Sequence, residues 1–166
     1  MTRDSDSPHT RSKRPVSTPR NVAMDLLARR EHSRLELLGK LARRFGDDTS
    51  GNGLEAAIDA LATEGLQSDE RFAISFTRER LHRGHGPRRI RVELQRRGVD
   101  DMLIDTALAE VPAEEETTWN AQARRVLAKR FGDTPARDFS EHARRLRFLE
   151  QRGFSTQQMP RDLSDD

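Results

Sequence analysis

Residues 68–99 read SDERFAISFTRERLHRGHGPRRIRVELQRRGV, and their apolar side chains recur at helical spacing. Ser68 is a typical N-cap, and two acidic residues follow it in the first turn, where the helix dipole favours anions. The helix that it opens is apolar on two sides, with Phe72 and Phe76 on one and Ile74 on the other. Two apolar faces indicate a helix packed between neighbours.

A second helix follows within the same stretch. Residues 84–87, GHGP, end the first helix, and Pro87 suits the opening turn of the next one, which runs to Arg97 with Gly98 as its stop. On this second helix Ile90 and Leu94 share one side, which we expect to pack inward. The arginines lie across from that side or on its flanks: Arg88, Arg89, Arg91, Arg96 and Arg97.

The same plan recurs along the chain. Leu41, Leu94 and Leu149 each begin a segment with a core leucine, an arginine, a turn with glycine and the start of another helix, at spacings of 53 and 55 residues. This period suits a unit of three short helices, and about nine helices are expected in all. The predicted fold is therefore all-α, with three tandem three-helix repeats forming an elongated, curved array. The predicted boundaries are a disordered basic tail at 1–20 and repeats at 21–67, 68–111 and 112–166.

Composition narrows the function classes. The 166 residues include no cysteine, which excludes disulfides, thiolate catalysis and cysteine-ligated zinc. No nucleophile elbow, zinc-protease motif or dinucleotide fingerprint is present, so we predict a binding protein that is not an enzyme and uses no cofactor and no metal. No apolar run is long enough to span a bilayer, and no apolar segment opens the chain. We expect a cytoplasmic monomer that does not contact membranes.

The densest chemical feature is a basic run. Residues 71–97 contain nine arginines and only two acidic residues. Arginine presents a planar fork that matches phosphate or carboxylate, so the run predicts a face that binds nucleic acid or an acidic protein surface. The alternative is a solvated face paired with the chain's own carboxylates, since the formal net charge is only +2. The candidate contact residues are Arg78, Arg80, Arg88, Arg89, Arg91 and Arg96, with Arg43, Arg44, Arg144 and Arg147 in the outer repeats.

Three smaller sequence features each allow two interpretations. The glycines at 84–87 precede a helix, so their backbone N–H groups could hold a phosphate, or they could simply form a tight turn. His82 and His85 have a spacing that metal ligands use, but no third ligand is evident. Trp119 is expected in the core or between repeats.

Two long motifs resemble a known family. Residues 69–80, DERFAISFTRER, and 84–99, GHGPRRIRVELQRRGV, resemble the RecX family, the bacterial regulators of the RecA recombinase. Residues 27–37, LARREHSRLEL, are similar to the family's opening segment, and residues 148–155, FLEQRGFS, to its closing one. The resemblance covers about residues 22–160.

This resemblance implies both a fold and a role. The fold is a tandem array of three-helix repeats, in agreement with the period described above. The role is in recombination, DNA repair and the SOS response: such a protein binds the RecA–ssDNA filament, blocks its extension, and lowers strand exchange, ATP hydrolysis and co-protease activity. The implied partner is RecA in its filament form, with single- or double-stranded DNA as a further candidate. The alternative is a DNA-binding helical protein that uses the arginine-rich face without any filament.

Overall fold

The computed structural model describes residues 17–46, 52–155 and 158, and the regular structure of this part of the chain is helical. The prediction of an all-α fold is confirmed. Eight helices are described: α1 (Pro19–Leu27), α2 (Arg34–Phe45), α3 (Asn52–Thr63), α4 (Asp69–His82), α5 (Pro87–Gln95), α6 (Asp101–Glu114), α7 (Trp119–Phe131) and α8 (Phe139–Arg152).

Short polar side chains begin most of these helices, as the sequence predicts. Ser68 Oγ accepts a hydrogen bond from the backbone N–H of Arg71 at 3.2 Å, and Ser33 Oγ accepts one from Glu36 at 3.1 Å. Ser33 and Glu36 have the spacing of a capping box, but only half of it forms, because the Glu36 carboxylate binds Arg30 and Arg97 instead of the Ser33 backbone. Each cap supplies an acceptor to an N–H group that the helix itself cannot satisfy.

Three small apolar clusters form the core, one for each consecutive group of helices. The first lies among α1–α3 around Leu37 and Leu41, and the second among α4–α6 around Phe72 and Ile90. The third lies between α7, α8 and the residues that follow α8, around Leu149. Small clusters of this kind are consistent with the low apolar content of the chain. The exact residues at which one repeat ends and the next begins stay predictions.

Trp119 contacts the second and third clusters. A hydrogen bond that it donates also explains why helix α6 extends past Pro112. The sequence places a boundary at Pro112, but α6 continues through it to Glu114. Proline has no N–H to donate to the carbonyl of Leu108, four residues earlier. The indole Nε1 of Trp119 donates to that carbonyl at 3.1 Å, so the acceptor remains satisfied. Trp119 also packs against both clusters, as expected of an anchor between repeats.

Two junctions connect the helix groups. At the first, Ser33 Oγ donates to the carbonyl of Arg97 at 2.8 Å, and the N–H of Arg34 donates to Asp69 Oδ1 at 2.8 Å. At the second, helix α5 begins against the end of helix α8. The N–H of Gly86 donates to the carbonyl of Arg152 at 2.7 Å, and that of Arg88 to the carbonyl of Gly153 at 3.0 Å.

The second junction decides between the two readings of residues 84–87. The N–H groups of Gly84 and His85 donate to carbonyls of Leu81 and Arg80 at the end of α4, and those of Gly86 and Arg88 donate to carbonyls at the end of α8, so they are not available to a phosphate. These four residues therefore form a turn that seats one helix group on the next. A methyl group on Gly86 would lie 2.5 Å from the Gly153 backbone, so this close approach requires glycine.

Some expectations fall outside the described residues. Of the expected ninth helix, at 155–163, only Ser155 and Gln158 are described, and the N–H of Ser155 donates to Gln158 Oε1 at 2.8 Å. Of the basic tail, only residues 17–20 are described, and α1 already begins at Pro19. Within this part of the chain, no helix combines the length and apolar character needed to cross a bilayer.

Candidate functional site

Four of the six central candidates are paired with the chain's own carboxylates. Arg78 contacts Glu114 and Glu115, and Arg91 contacts Asp105. Both therefore bridge to helix α6, which lies far from them in sequence. Nε2 of His82 lies 2.8 Å from Glu115, and this hydrogen bond, aided by the charge of Arg78, holds the pKa of Glu115 below its usual value.

Arg80 and Arg89 share one carboxylate. Their Nε atoms lie 2.8 and 2.9 Å from the two oxygens of Glu93, which is only 17% exposed. Burial by itself would raise the pKa of Glu93, but the hydrogen bond from Arg89 and the charge of Arg80 outweigh it and lower that pKa. The guanidinium groups of Arg80 and Arg97 both lie 4.6 Å from the centre of the Phe76 ring. This cluster stabilises the fold, so Arg80 and Arg89 are poor candidates for a free contact face.

The two remaining central candidates differ from these four. Arg88 and Arg96 are exposed on or just after α5, and neither has a carboxylate partner among residues 17–46, 52–155 and 158. We call them the α5 cation pair. Ile90 and Leu94 are fully buried on the opposite side of the same helix, as the sequence predicts. The inward packing of these two residues leaves Arg88 and Arg96 at the surface.

Within residues 17–46, 52–155 and 158, three of the four outer candidates also have no carboxylate partner. Arg43 Nε donates to the carbonyl of Gly39, and Arg44 lies 3.4 Å from Ser17 Oγ. Arg144 approaches Glu141 only to 3.9 Å. Arg147 is exposed and has no carboxylate partner in the described part of the chain. Several of the ten candidates are therefore compensated by carboxylates. Those without a carboxylate partner among residues 17–46, 52–155 and 158 are Arg43 and Arg44 on the first helix group, Arg88 and Arg96 on the second and Arg147 on the third.

A basic groove between α7 and α8 was missed at the sequence level. One cavity of about 550 Å³ lies between the end of α4, α7 and α8, and a second of about 490 Å³ lies farther along α7 and α8. Arg130 and Phe148 line both cavities, which makes them one continuous surface. We call this surface the α7–α8 groove. Seven arginine or lysine side chains and one carboxylate, that of Glu141, line it.

The local sequence explains how the groove becomes basic. Ala123 and Leu127 are buried against α8, and Arg125 and Lys129 are exposed one helical turn apart on the same helix. Residues 124–130, RRVLAKR, carry four basic residues and no acidic one, and this pattern indicates a basic surface on α7. It was overlooked because the second half of the groove comes from a helix about twenty residues later.

Metal binding finds no support in the described residues. His82 is hydrogen-bonded to Glu115, and His85 lies in the turn that seats α5 on α8. Among residues 17–46, 52–155 and 158, no group of three His, Asp or Glu side chains is arranged to hold a metal ion.

Comparison with known proteins gives a consistent result. The family model described as RecX, second three-helix domain, matches residues 68–108. The regulatory protein RecX of Chromohalobacter salexigens is 48% identical over 143 residues, which span 86% of this chain and 89% of that protein. The regulatory protein RecX of Halorhodospira halophila is 46% identical over 140 residues, which span 84% and 83% of the two chains.

A solved structure shares the fold. The crystal structure of RecX from Lactobacillus salivarius superposes with a TM-score of 0.68 over 88% of this chain and 92% of that one, at 22% identity. The helical architecture is thus that of a crystallographically known RecX protein, and the sequence relatives also match over most of the chain. The resemblance found in the sequence is confirmed, and the chain belongs to the RecX family of regulatory proteins.

Proposed function

We propose that this chain binds the filament that RecA forms on single-stranded DNA and lowers its strand-exchange, ATPase and co-protease activities. The proposal rests on relatives named regulatory protein RecX that match over most of the chain. The protein performs no reaction in this account. Inhibition follows because a bound protein braces the filament or blocks its growing end.

Exposed arginines on each helix group support a multivalent contact, and all but Arg144 lack a carboxylate partner in the described part of the chain. The α5 cation pair, Arg88 and Arg96, lies on the central group. Arg43 and Arg44 lie on the first group and Arg144 and Arg147 on the third. A filament repeats its subunits and its phosphates, so separate weak contacts can act together on it. Because these contacts are linked through one chain, the protein binds filament tightly and free subunits weakly.

The test reverses the charge of the α5 cation pair. Arg88→Glu with Arg96→Glu reverses the charge of two exposed side chains that have no carboxylate partner among the residues that the structure describes. Helical content should therefore be unchanged. We expect the concentration needed to inhibit the ATPase of RecA on single-stranded DNA to rise roughly tenfold, which corresponds to about 1.4 kcal/mol of lost binding. Arg89 is left intact because its pairing with Glu93 and its contact with Gly153 serve the fold.

A matched control makes the same change in net charge elsewhere. Arg29→Glu with Arg124→Glu reverses two exposed cations outside the candidate set. This control should inhibit RecA like the wild type. Equal inhibition by the wild type, the control and the α5 variant would remove the α5 cation pair from the proposed interface.

A further inference from the structure

The cations of the α7–α8 groove exceed what the fold uses. Arg125, Lys129 and Arg147 have no carboxylate partner among the described residues. The one carboxylate of the lining, Glu141, is already bound at 2.8 Å by Arg145, a buried residue outside the lining. Its pKa is lowered by a hydrogen bond from the backbone N–H of Arg137 and by Arg145, so it stays ionised and committed. The groove therefore keeps a strong positive field.

The lining favours a strand of phosphates over an acidic peptide. Specific protein interfaces commonly depend on a few anchor side chains that fill well-packed pockets. The aliphatic side chains of this lining are engaged, since Leu81 is 2% exposed and Val126 packs against Gly84. What the groove offers instead is cations distributed over two joined cavities. Evenly spaced phosphates along a strand match that distribution.

Flat surfaces beside these cations add a second observation. The half-buried Phe148 ring lines both cavities, and the guanidinium of Arg152 lies 5.2 Å from its centre. Arg144 lies 5.4 Å from the centre of the Phe131 ring in the second cavity. Aromatic rings and guanidinium planes are the surfaces on which unpaired bases stack, whereas bases inside a duplex are not available for stacking.

The groove is also built in advance of any ligand. The backbone bond from Gly86 to Arg152 fixes one edge, and Arg152 Nη1 donates to the carbonyl of Arg83 at 3.2 Å. Gln122, only 4% exposed, ties α7 to α4 by donating from Nε2 to the carbonyl of Leu81 at 3.3 Å. A preformed site loses less entropy on binding than a flexible one.

We propose that the α7–α8 groove binds single-stranded nucleic acid, with its arginine and lysine side chains on the phosphodiester backbone and stacking surfaces beside them. Neither Arg88 nor Arg96 lines this groove, whereas Arg144 and Arg147, which the filament proposal also uses, do line it. In the absence of a filament, the groove binds the strand directly.

The test measures binding of a labelled oligothymidylate by fluorescence anisotropy over a range of salt concentrations, with no RecA present. The groove variant is Arg125→Glu with Lys129→Glu, and the control is Arg29→Glu with Arg124→Glu. Arg124 and Arg125 are exposed neighbours on one helix, but only Arg125 lines the groove. Circular dichroism is used to check that both variants keep their helical content.

The groove variant should weaken binding about tenfold and reduce the slope of log K against log salt by about 1.4, which is two contacts at roughly 0.7 each for single strands. The control should keep the wild-type slope. Loss of binding that is equal in the two variants would overturn the proposal, as would a failure of the wild type to bind. Labelled poly-glutamate that binds as tightly as the oligonucleotide and responds to the same reversal would assign the groove to an acidic protein instead. Since no RecA is present, failure of the filament proposal leaves these outcomes unchanged.

Discussion

Replacing Gly86 with alanine tests the junction between α5 and α8. Gly86 has an ordinary φ of −89°, so alanine causes no backbone strain there and the effect is purely steric. Its methyl carbon would lie 2.5 Å from the carbonyl carbon and oxygen of Gly153 and the nitrogen of Phe154. These are backbone atoms, which cannot turn aside as the tip of a side chain can. The two helix ends must therefore separate.

The expected loss of stability follows from what the separation breaks. The hydrogen bonds from Gly86 to Arg152 and from Arg88 to Gly153 contribute about 0.5–1.5 kcal/mol each. Forcing extra volume into a packed site costs about 1–3 kcal/mol more. We therefore expect Gly86→Ala to lower the free energy of unfolding by about 2–6 kcal/mol, measured by urea denaturation with far-ultraviolet circular dichroism.

Gly39→Ala is the matched control. Gly39 lies inside α2, and a methyl carbon added there meets nothing within 4 Å. Alanine at such a position should raise the free energy of unfolding by about 0.5–1 kcal/mol, because it restricts the unfolded chain and favours helix. If Gly86→Ala were as stable as the wild type, the close packing of α5 on α8 would be refuted.

Trp119→Phe should lower the free energy of unfolding by about 1–3 kcal/mol, because it leaves the carbonyl of Leu108 without a donor where Pro112 cannot supply one. Trp119→Phe with wild-type stability in urea would show that this hydrogen bond contributes nothing. Glu93→Gln should be less stable than the wild type at neutral pH, and the difference should shrink as the pH falls. The pKa of Glu93 is lower in the folded than in the unfolded chain, so its stabilisation is complete above the ordinary carboxyl pKa near 4.5 and is lost as the pH falls through the folded value. A difference between the two proteins that does not change with pH would contradict the assignment.

Much of the fold could be predicted because its signals are local. The caps at Ser33 and Ser68 lie three residues from the N–H groups that they satisfy. The buried positions of Ile90 and Leu94 follow from their spacing on one helix. Helix α6 continues through Pro112 against expectation, because Trp119 supplies the hydrogen bond that the proline cannot donate. Trp119 belongs to the next helix, so the local sequence does not reveal it.

The candidate site was harder to predict because ion pairs join distant residues. Arg78 pairs with Glu114, and Arg97 with Glu36 across the first junction. A local sequence pattern does not indicate which arginines pair with carboxylates that lie far along the chain. The run at 71–97 therefore predicted more unpaired arginines than the structure shows in its described part. The α7–α8 groove exists only where two helices converge.

We propose above that this protein acts on an assembled filament, and the ATPase of RecA on single-stranded DNA tests that proposal most directly. We expect the protein to inhibit at concentrations well below that of RecA, because one bound protein affects a filament of many subunits. Inhibition that requires protein in stoichiometric amounts with RecA would contradict the proposal, because the protein would then act on free subunits or on bare strand.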